Sequence, residues 1–373
     1  MKLDWRAGLG FIITALLLWW VLHGISLGDL WAEIKDADFL LLGLAVAMAT
    51  ATFFLRALRW KVLLQPIHPG TSLRSRFAAV NIGGMGNNLL PARMGEFARA
   101  YALARMEPVP VSGAFGSLVV ERFLDALVLV LFLFVAMAAP AFPVNPSMGE
   151  WSLSSVIQYA TVLLALLLLG MVLMLLFPQA VIRLAERIAR FLPGNLSRLV
   201  VDSLEAFLDG LRVFQNPGLL FLALLWSLGV WGWQCLAFWV GFRAFGIQVS
   251  YDVALFVNSI VAFAVSLPAA PGFFGTFHAG ASAGLGVYGV PAAPTLAFAF
   301  GFHLGGFIPV TVMGLYSAWK LGLSWGEVEK SEERVEEAVE EAHPELRHRG
   351  GKTLPEGPEG GGGEAPPGKD PPC

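Results

Sequence analysis

Charge is the first thing this chain has little of: 14% of its 373 residues are Asp, Glu, Lys or Arg, against 56% hydrophobic. The mean hydropathy is +0.66. A soluble enzyme needs roughly a quarter of its residues charged, so this composition excludes that class and points to a polytopic membrane protein. Cysteine is nearly absent. Cys235 lies in an apolar run and Cys373 is the last residue, so neither a disulfide nor a thiolate metal cluster is expected. Several catalytic signatures are missing as well: the chain contains no Walker loop, HExxH or CxxC. No cofactor, metal or nucleic-acid partner is therefore expected. The first apolar run has no small-residue cleavage site at its end and reads as retained, not as a signal peptide.

Long apolar runs are abundant. Windows of about 20 residues, enough to cross the hydrocarbon core, fall at 8–26, 39–60, 113–139, 154–177, 219–241 and 294–319, giving an all-α fold with six full spans. Two further stretches, 77–105 and 252–289, are interrupted by Gly and Pro. Non-helical backbone at membrane depth is tolerated only where protein or a cavity satisfies it, so these two are expected to be re-entrant helical hairpins.

The basic residues fix an expected orientation. With both broken stretches returning to the side they left, 16 Lys and Arg fall on the side of the N-terminus and two, Lys35 and Arg243, on the other. The positive-inside rule then places both termini in the cytoplasm of a cell (inner) membrane. Residues 1–325 read as the membrane domain. Residues 326–373 read as an acidic helix and a disordered cytoplasmic tail, because residues 321–373 hold 13 acids and 6 bases and end in Pro and Gly. Residues 179–216 read as a basic amphipathic helical pair lying on the membrane surface.

A shift of 177 positions lays residues 80–97 on 257–274 with seven identities, among them Asn81/Asn258, Pro91/Pro268, Gly95/Gly272 and Phe97/Phe274. The halves, about 8–139 and 154–320, share the plan span, span, hairpin, span. Three spans per half make the second copy upside down, an inverted repeat of the kind that meets near the bilayer midplane in transporters.

Chemistry concentrates in the first copy. Arg93, Glu96 and Arg99 recur at every third residue of ARMGEFARA and form one stripe on an otherwise apolar helix. Asn87 and Asn88 in GGMGNNLLP add amides beside a tight reversal. In VVERFLDAL, Glu121 and Asp125 share a face with Arg122 one step aside. Each such charge costs roughly 2.5–3.5 kcal/mol at the bilayer centre and is a functional candidate by default. An Arg–carboxylate network tying helices together is the competing expectation. The second copy lacks these charges: in the ungapped register Ala270, Phe273 and Thr276 stand opposite Arg93, Glu96 and Arg99, and His278 takes the column of Tyr101. One cationic wall and one apolar wall with a His suit an amphiphile with an anionic head.

Four segments carry a family resemblance: RALRW at 56–60, NNLLPARMGEFARAYAL at 87–103, ERFLD at 121–125 and LPAAPGFFG at 267–275. Over about residues 5–320 the chain resembles the membrane region of the lysylphosphatidylglycerol synthase family, the flippase-like membrane proteins. The resemblance implies transport of lipids or lipid-linked glycans and assigns Arg93, Glu96, Arg99, Glu121, Arg122 and Asp125 to the substrate cavity. Two features depart from the family: the soluble aminoacyl-transferring domain is absent, and His278 replaces an acid usual in the second motif. The expected function is transbilayer flipping of an anionic phospholipid or lipid-linked glycan, with Asn87, Asn88 and His278 completing the site. The alternatives are an integral-membrane enzyme acting on a lipid phosphate or polyprenyl-linked sugar, and a membrane scaffold; a homo-oligomer is left open.

Overall fold

The computed structural model describes residues 5–23, 26–90, 93–143, 216–267 and 270–342, with isolated positions between 158 and 187. Every regular element among the described residues is helical: α1 (Trp5–Leu22), α2 (Leu27–Lys35), α3 (Phe39–Leu64), α4 (Leu73–Leu89), α5 (Gly95–Met106), α6 (Val111–Met137), α7 (Pro217–Ala244), α8 (Tyr251–Ala264), α9 (Thr276–Val287), α10 (Ala292–Leu321), α11 (Trp325–Glu329) and α12 (Ser331–Ala342). The expected span at 154–177 and the amphipathic pair at 179–216 fall largely outside the described residues.

Local chemistry sets the helix starts. The Asp38 carboxylate accepts from the amides of Leu40 and Leu41 and opens α3. Asn216 does the same for Gly218 and Leu219 with Pro217 in the first turn of α7. The short α2, absent from the sequence reading, is capped by Ser26. α3, α7 and α10 are each long and apolar enough to cross a membrane. α6 has the length, at 27 residues, but carries Glu121, Arg122 and Asp125 in every window that could span. Large apolar side chains cover the outside: Leu40 is 82% exposed, Phe221 70% and Ile308 60%. Such a surface is stable against lipid and not against water.

The element order α3, α4, break, α5, α6 recurs as α7, α8, break, α9, α10. Adding 177 to the bounds of α3 gives 216–241, against Pro217–Ala244 for α7; adding it to α4 gives 250–266, against Tyr251–Ala264 for α8. Past the break the ungapped register fails. Gly95 would fall on 272, whereas α9 opens at Thr276. The second break is longer, 265–275 against 90–94, and contains a 3-10 turn, Pro271–Phe273, with Gly272 and Gly275 at φ of 75° and 85°. The left-handed pair Arg93 and Phe273 sets the offset there at 180, so that Glu96 and Arg99 stand opposite Thr276 and Ala279 instead of the columns of the ungapped match. The second copy remains uncharged at those places. The matched Pro91, Ala92, Pro268 and Ala269 lie outside the described residues.

Glycine explains how closely the broken pairs fold back. A Cβ on Gly83 would lie 2.8 Å from the Arg99 Cβ and 2.9 Å from the Gly95 oxygen, and one on Gly86 would lie 2.8 Å from the Gly95 Cα. In the second pair Gly280 and Gly284 abut the Cα atoms of Val261 and Val257. α10 then lies along α4, where a Cβ on Gly314 would come within 2.2 Å of the Met85 Cβ, and α3 lies along α7 through the Thr52 to Gln234 hydrogen bond of 2.8 Å.

The acidic segment after α10 is not simply a solvated helix. Val328, Ser331 and Val335 are buried against the α5–α6 core. Ser324 and Glu327 form a capping box at the start of α11, and Glu327 reaches Arg105 at the end of α5, 3.2 Å away. Residues 325–342 thus strap the arm that bears Glu96 and Arg99.

Two outcomes follow from this packing. Gly314→Ala should destabilise by about 1–3 kcal/mol through overpacking, while exposed Gly229→Ala on α7, with nothing within 4 Å of its Cβ, should be neutral or slightly stabilising; thermal unfolding in detergent reads both. Hydrogen bonds from the Ser324 backbone and hydroxyl hold the Glu327 carboxyl below the ordinary 4.5, with Arg105 adding to the effect. A depressed carboxylate stabilises above the ordinary value and loses that contribution as pH falls through its lowered one. Amide protection across 325–342 should therefore drop between about pH 5 and pH 3, and Glu327→Gln should show the low protection already at neutral pH. Identical protection in both proteins at every pH would refute the strap's dependence on this carboxylate.

Candidate functional site

Five helices bring polar side chains to one place inside an apolar bundle. α3 supplies Arg56, Arg59 and Trp60, α5 supplies Glu96 and Arg99, α6 supplies Ser117, Glu121, Arg122 and Asp125, and α7 supplies Ser227, Trp231 and Gln234. α8 adds Asn258, and Arg93 enters from the first break.

Glu121 is the hub. It is wholly buried and pairs with Arg59 at 2.9 Å, accepts from both terminal nitrogens of Arg99 at 2.8 and 3.1 Å, and meets Arg122 on its own helix. Asp125, one turn on, pairs with Arg59 and with Arg122 at 3.0 Å and accepts the Trp231 indole N–H at 2.8 Å. Arg59 also donates to the Ser227 hydroxyl at 3.1 Å. Arg99 stacks over the Trp60 ring at 4.0 Å, and Trp60 is held by the Ser117 hydroxyl at 2.8 Å. A guanidinium in low dielectric is tolerable only with such multiple partners. Glu96 is the loosest acid, 3.8 Å from Arg122 and part-exposed.

Beside this network lies a cavity of about 430 Å³. Its walls come from both halves: Arg56, Gly83, Gly84, Asn87, Asn88, Arg93, Glu96, Arg99, Arg122 and Asp125 on one side, Trp231, Gln234, Asn258, Phe273, Phe277 and His303 on the other. Two residues other than glycine take left-handed backbone among the described residues, Arg93 and Phe273, both at φ 59°. One sits in each break, and the Arg93 guanidinium lies over the Phe273 ring at 5.9 Å. The two breaks therefore meet at the cavity.

Of the sequence-selected residues, Asn87, Asn88, Arg93, Glu96, Arg99, Arg122 and Asp125 line the cavity, and Glu121 stands directly behind it holding Arg99. The amides of the two asparagines are engaged by the scaffold. Asn87 Oδ1 accepts from the Gly95 amide at 3.0 Å, and Asn88 donates to Thr311 Oγ1 at 2.9 Å. His278 is fully buried and does not line the cavity; His303, 5.2 Å from it, does. Sequence reasoning missed Arg56 and Arg59, counting them as charges after the second span. Because α3 continues to Leu64, both lie inside it, three residues apart on one face. Their position before Trp60 and Lys61 within an unbroken helical run was the available signal. Trp231 and Gln234 carried none, since indole and amide groups in an apolar helix have no distinctive spacing.

The fold and site define a helical membrane protein whose polar groups converge on a charged internal cavity. The family model for the lysylphosphatidylglycerol synthase TM region matches residues 8–314, and the chain belongs to that family. A UPF0104 membrane protein of Methanothermobacter thermautotrophicus is 24% identical over 85% of this chain and 93% of its own length. A second UPF0104 membrane protein, from Methanocaldococcus jannaschii, is 22% identical over 69% of this chain and 77% of its own. Glycosyltransferase AglD of Haloferax volcanii is 23% identical over 72% of this chain but only 47% of its own length.

Removing the hub leaves buried Arg99 without a carboxylate and takes one of two or more partners from Arg59 and Arg122, so Glu121→Gln should cost about 3–5 kcal/mol. Glu96→Gln, at the open end, should cost less than about 1 kcal/mol. Chemical or thermal unfolding of the two variants in one detergent checks the order.

Proposed function

We propose that the protein moves an anionic phospholipid or a lipid-linked glycan across the bilayer through the cavity between the two breaks. In this reading α4–α5 and α8–α9 are re-entrant hairpins, entering from opposite faces as the two halves of an inverted repeat. The strong Lys and Arg bias puts both termini in the cytoplasm of the inner membrane, although Arg56, Arg59, Arg76, Arg93 and Arg99 face the protein interior and contribute less to that bias than their positions imply. The observation that carries the proposal is a cavity whose lining combines four arginines, Arg56, Arg93, Arg99 and Arg122, against two acids, Glu96 and Asp125, with a large apolar and aromatic surface that includes Trp231, Phe273 and Phe277. An amphiphile fits that division: the headgroup is neutralised by arginine as it passes, and the acyl chains remain in lipid.

Membrane-buried charges are expensive and usually mark a substrate path. The amphipathic split also argues against a small symmetric ion. The family's name points to a phospholipid, and the name of the Haloferax relative supports a lipid-linked sugar as the second choice of cargo. With no nucleotide-binding motif in the chain, movement is downhill or coupled to an ion. Arg93 holds the entering phosphate, and Glu96, within reach of Arg122, releases it by competing for the same cations.

Reconstitution in proteoliposomes with a headgroup-labelled lipid tests this. Wild-type protein should accelerate exchange between leaflets, and Arg93→Ala should slow it about tenfold or more, the loss of one charge-assisted bidentate contact. Glu96→Gln should slow it as well. Undiminished exchange by both variants would sink the assignment, and covalent conversion of the lipid would favour the enzyme reading instead.

A further inference from the structure

The charges at the cavity do not balance. Its acids are Glu96, Glu121 and Asp125, and each is ion-paired. Every one of those pairs draws on Arg59, Arg99 or Arg122. Three acids and three arginines form a closed, neutral set. Arg56 and Arg93 remain. Both line the cavity, and neither has an ion pair among the described residues; a buried Nε without a hydrogen-bond partner is common to all five arginines, so the missing carboxylate is what sets these two apart. Aromatic faces are their nearest company: Arg56 lies 5.7 Å from the Phe53 ring and 5.8 Å from Trp231, and Arg93 lies over Phe273. Such faces ease a desolvated cation only in part.

We infer that the site takes a lipid whose headgroup carries two negative charges, a phosphate monoester or a diphosphate ester, in preference to a singly charged phosphodiester. The inference rests on the cavity being a lipid-headgroup site and specifies which headgroup. Two arguments converge. Electrostatically, two uncompensated guanidiniums in a low-dielectric cavity are neutralised by a dianion, whereas a monoanion leaves one exposed to the full desolvation cost. Stereochemically, each guanidinium fork binds two oxygens. A phosphodiester offers only two non-ester oxygens, enough for one fork. A monoester offers three, so two forks can meet on one phosphate by sharing a single oxygen, and a diphosphate offers enough for both without sharing.

Arg93 holds a φ of 59° with its side chain on the cavity, a backbone that glycine takes without strain, so the guanidinium can be removed there without a cost to the fold.

The test is a binding comparison on the full chain in an uncharged detergent at pH 8, read by native mass spectrometry. Dioleoyl phosphatidic acid, farnesyl diphosphate, dioleoyl phosphatidylglycerol and inorganic pyrophosphate are the probes. Phosphatidic acid should bind about tenfold or more tightly than phosphatidylglycerol, the effect of one additional charge pair at short range. Arg56→Gln and Arg93→Gly should each reduce that preference to near unity while retaining phosphatidylglycerol binding. Arg93→Gly suits the left-handed backbone and keeps the fold. Lowering the pH to about 5.5, below the second phosphate pKa of about 6, should shrink the wild-type preference. Equal binding of the two glycerolipids by wild-type protein would overturn the inference, as would a preference that survives in the double variant. Pyrophosphate displacing farnesyl diphosphate at equal concentration would uphold the two-charge site and defeat the lipid-translocation reading, so the two can fail separately.

Discussion

The buried Glu121 carboxylate is the group on which the rest of the structure depends. It joins Arg59 on α3, Arg99 on α5 and Arg122 on α6, fixing three helices of the first half around one negative charge. Asp125 extends the same logic to α7 through Trp231. In lipid, helices have no hydrophobic reason to associate, since acyl chains are as apolar as leucine. Ion pairs that would be marginal at a water surface therefore become specific connectors here, because leaving any member unpaired is far more costly than in water.

Close backbone approach complements that charge hub. Gly83, Gly86 and Gly95 let α4 and α5 touch, and Gly314 lets α10 lie against α4. Small residues at such crossings are the usual means of packing helices in a membrane. Arg93 stands two residues before Gly95, at the start of that close contact. The opposing, longer break presents Phe273 to Arg93 with the same left-handed backbone. The polar and aromatic walls of the cavity are therefore products of two similar helix interruptions that differ in length and side chains.

The connection to function runs through charge. A neutral set of three acids and three arginines gives rigidity, and two further arginines give the cavity a field. Structural and ligand-facing cations are distinguished by whether a carboxylate is within reach, not by residue type. The strap formed by α11 and α12 adds a mechanical link from the cytoplasmic-side acidic segment, as proposed, to the end of α5, through Arg105 and Glu327.

Membrane class, helical content and the polar segments were legible in the sequence because hydropathy and local spacing are properties of neighbouring residues. The i, i+4 relation of Glu121 and Asp125 is of that kind, as is the spacing of Arg93, Glu96 and Arg99; all five reach the site, but Arg93, expected on one helical stripe with the other two, stands at φ 59° in the break before α5. The recurrence of 80–97 at 257–274 also showed two similar interrupted segments. Partner choice was not legible: nothing local says that Arg59 takes Glu121 and Asp125 while Arg56, one turn away, takes none. Nor could an ungapped match reveal the longer second break, or that His278 is buried while His303 lines the cavity. Sequence alone determined which segments are apolar, where they break and which carry charge, because those follow from composition along the chain. Tertiary structure alone decided which charges cancel and which remain, because pairing depends on helices distant in sequence meeting within a few ångströms.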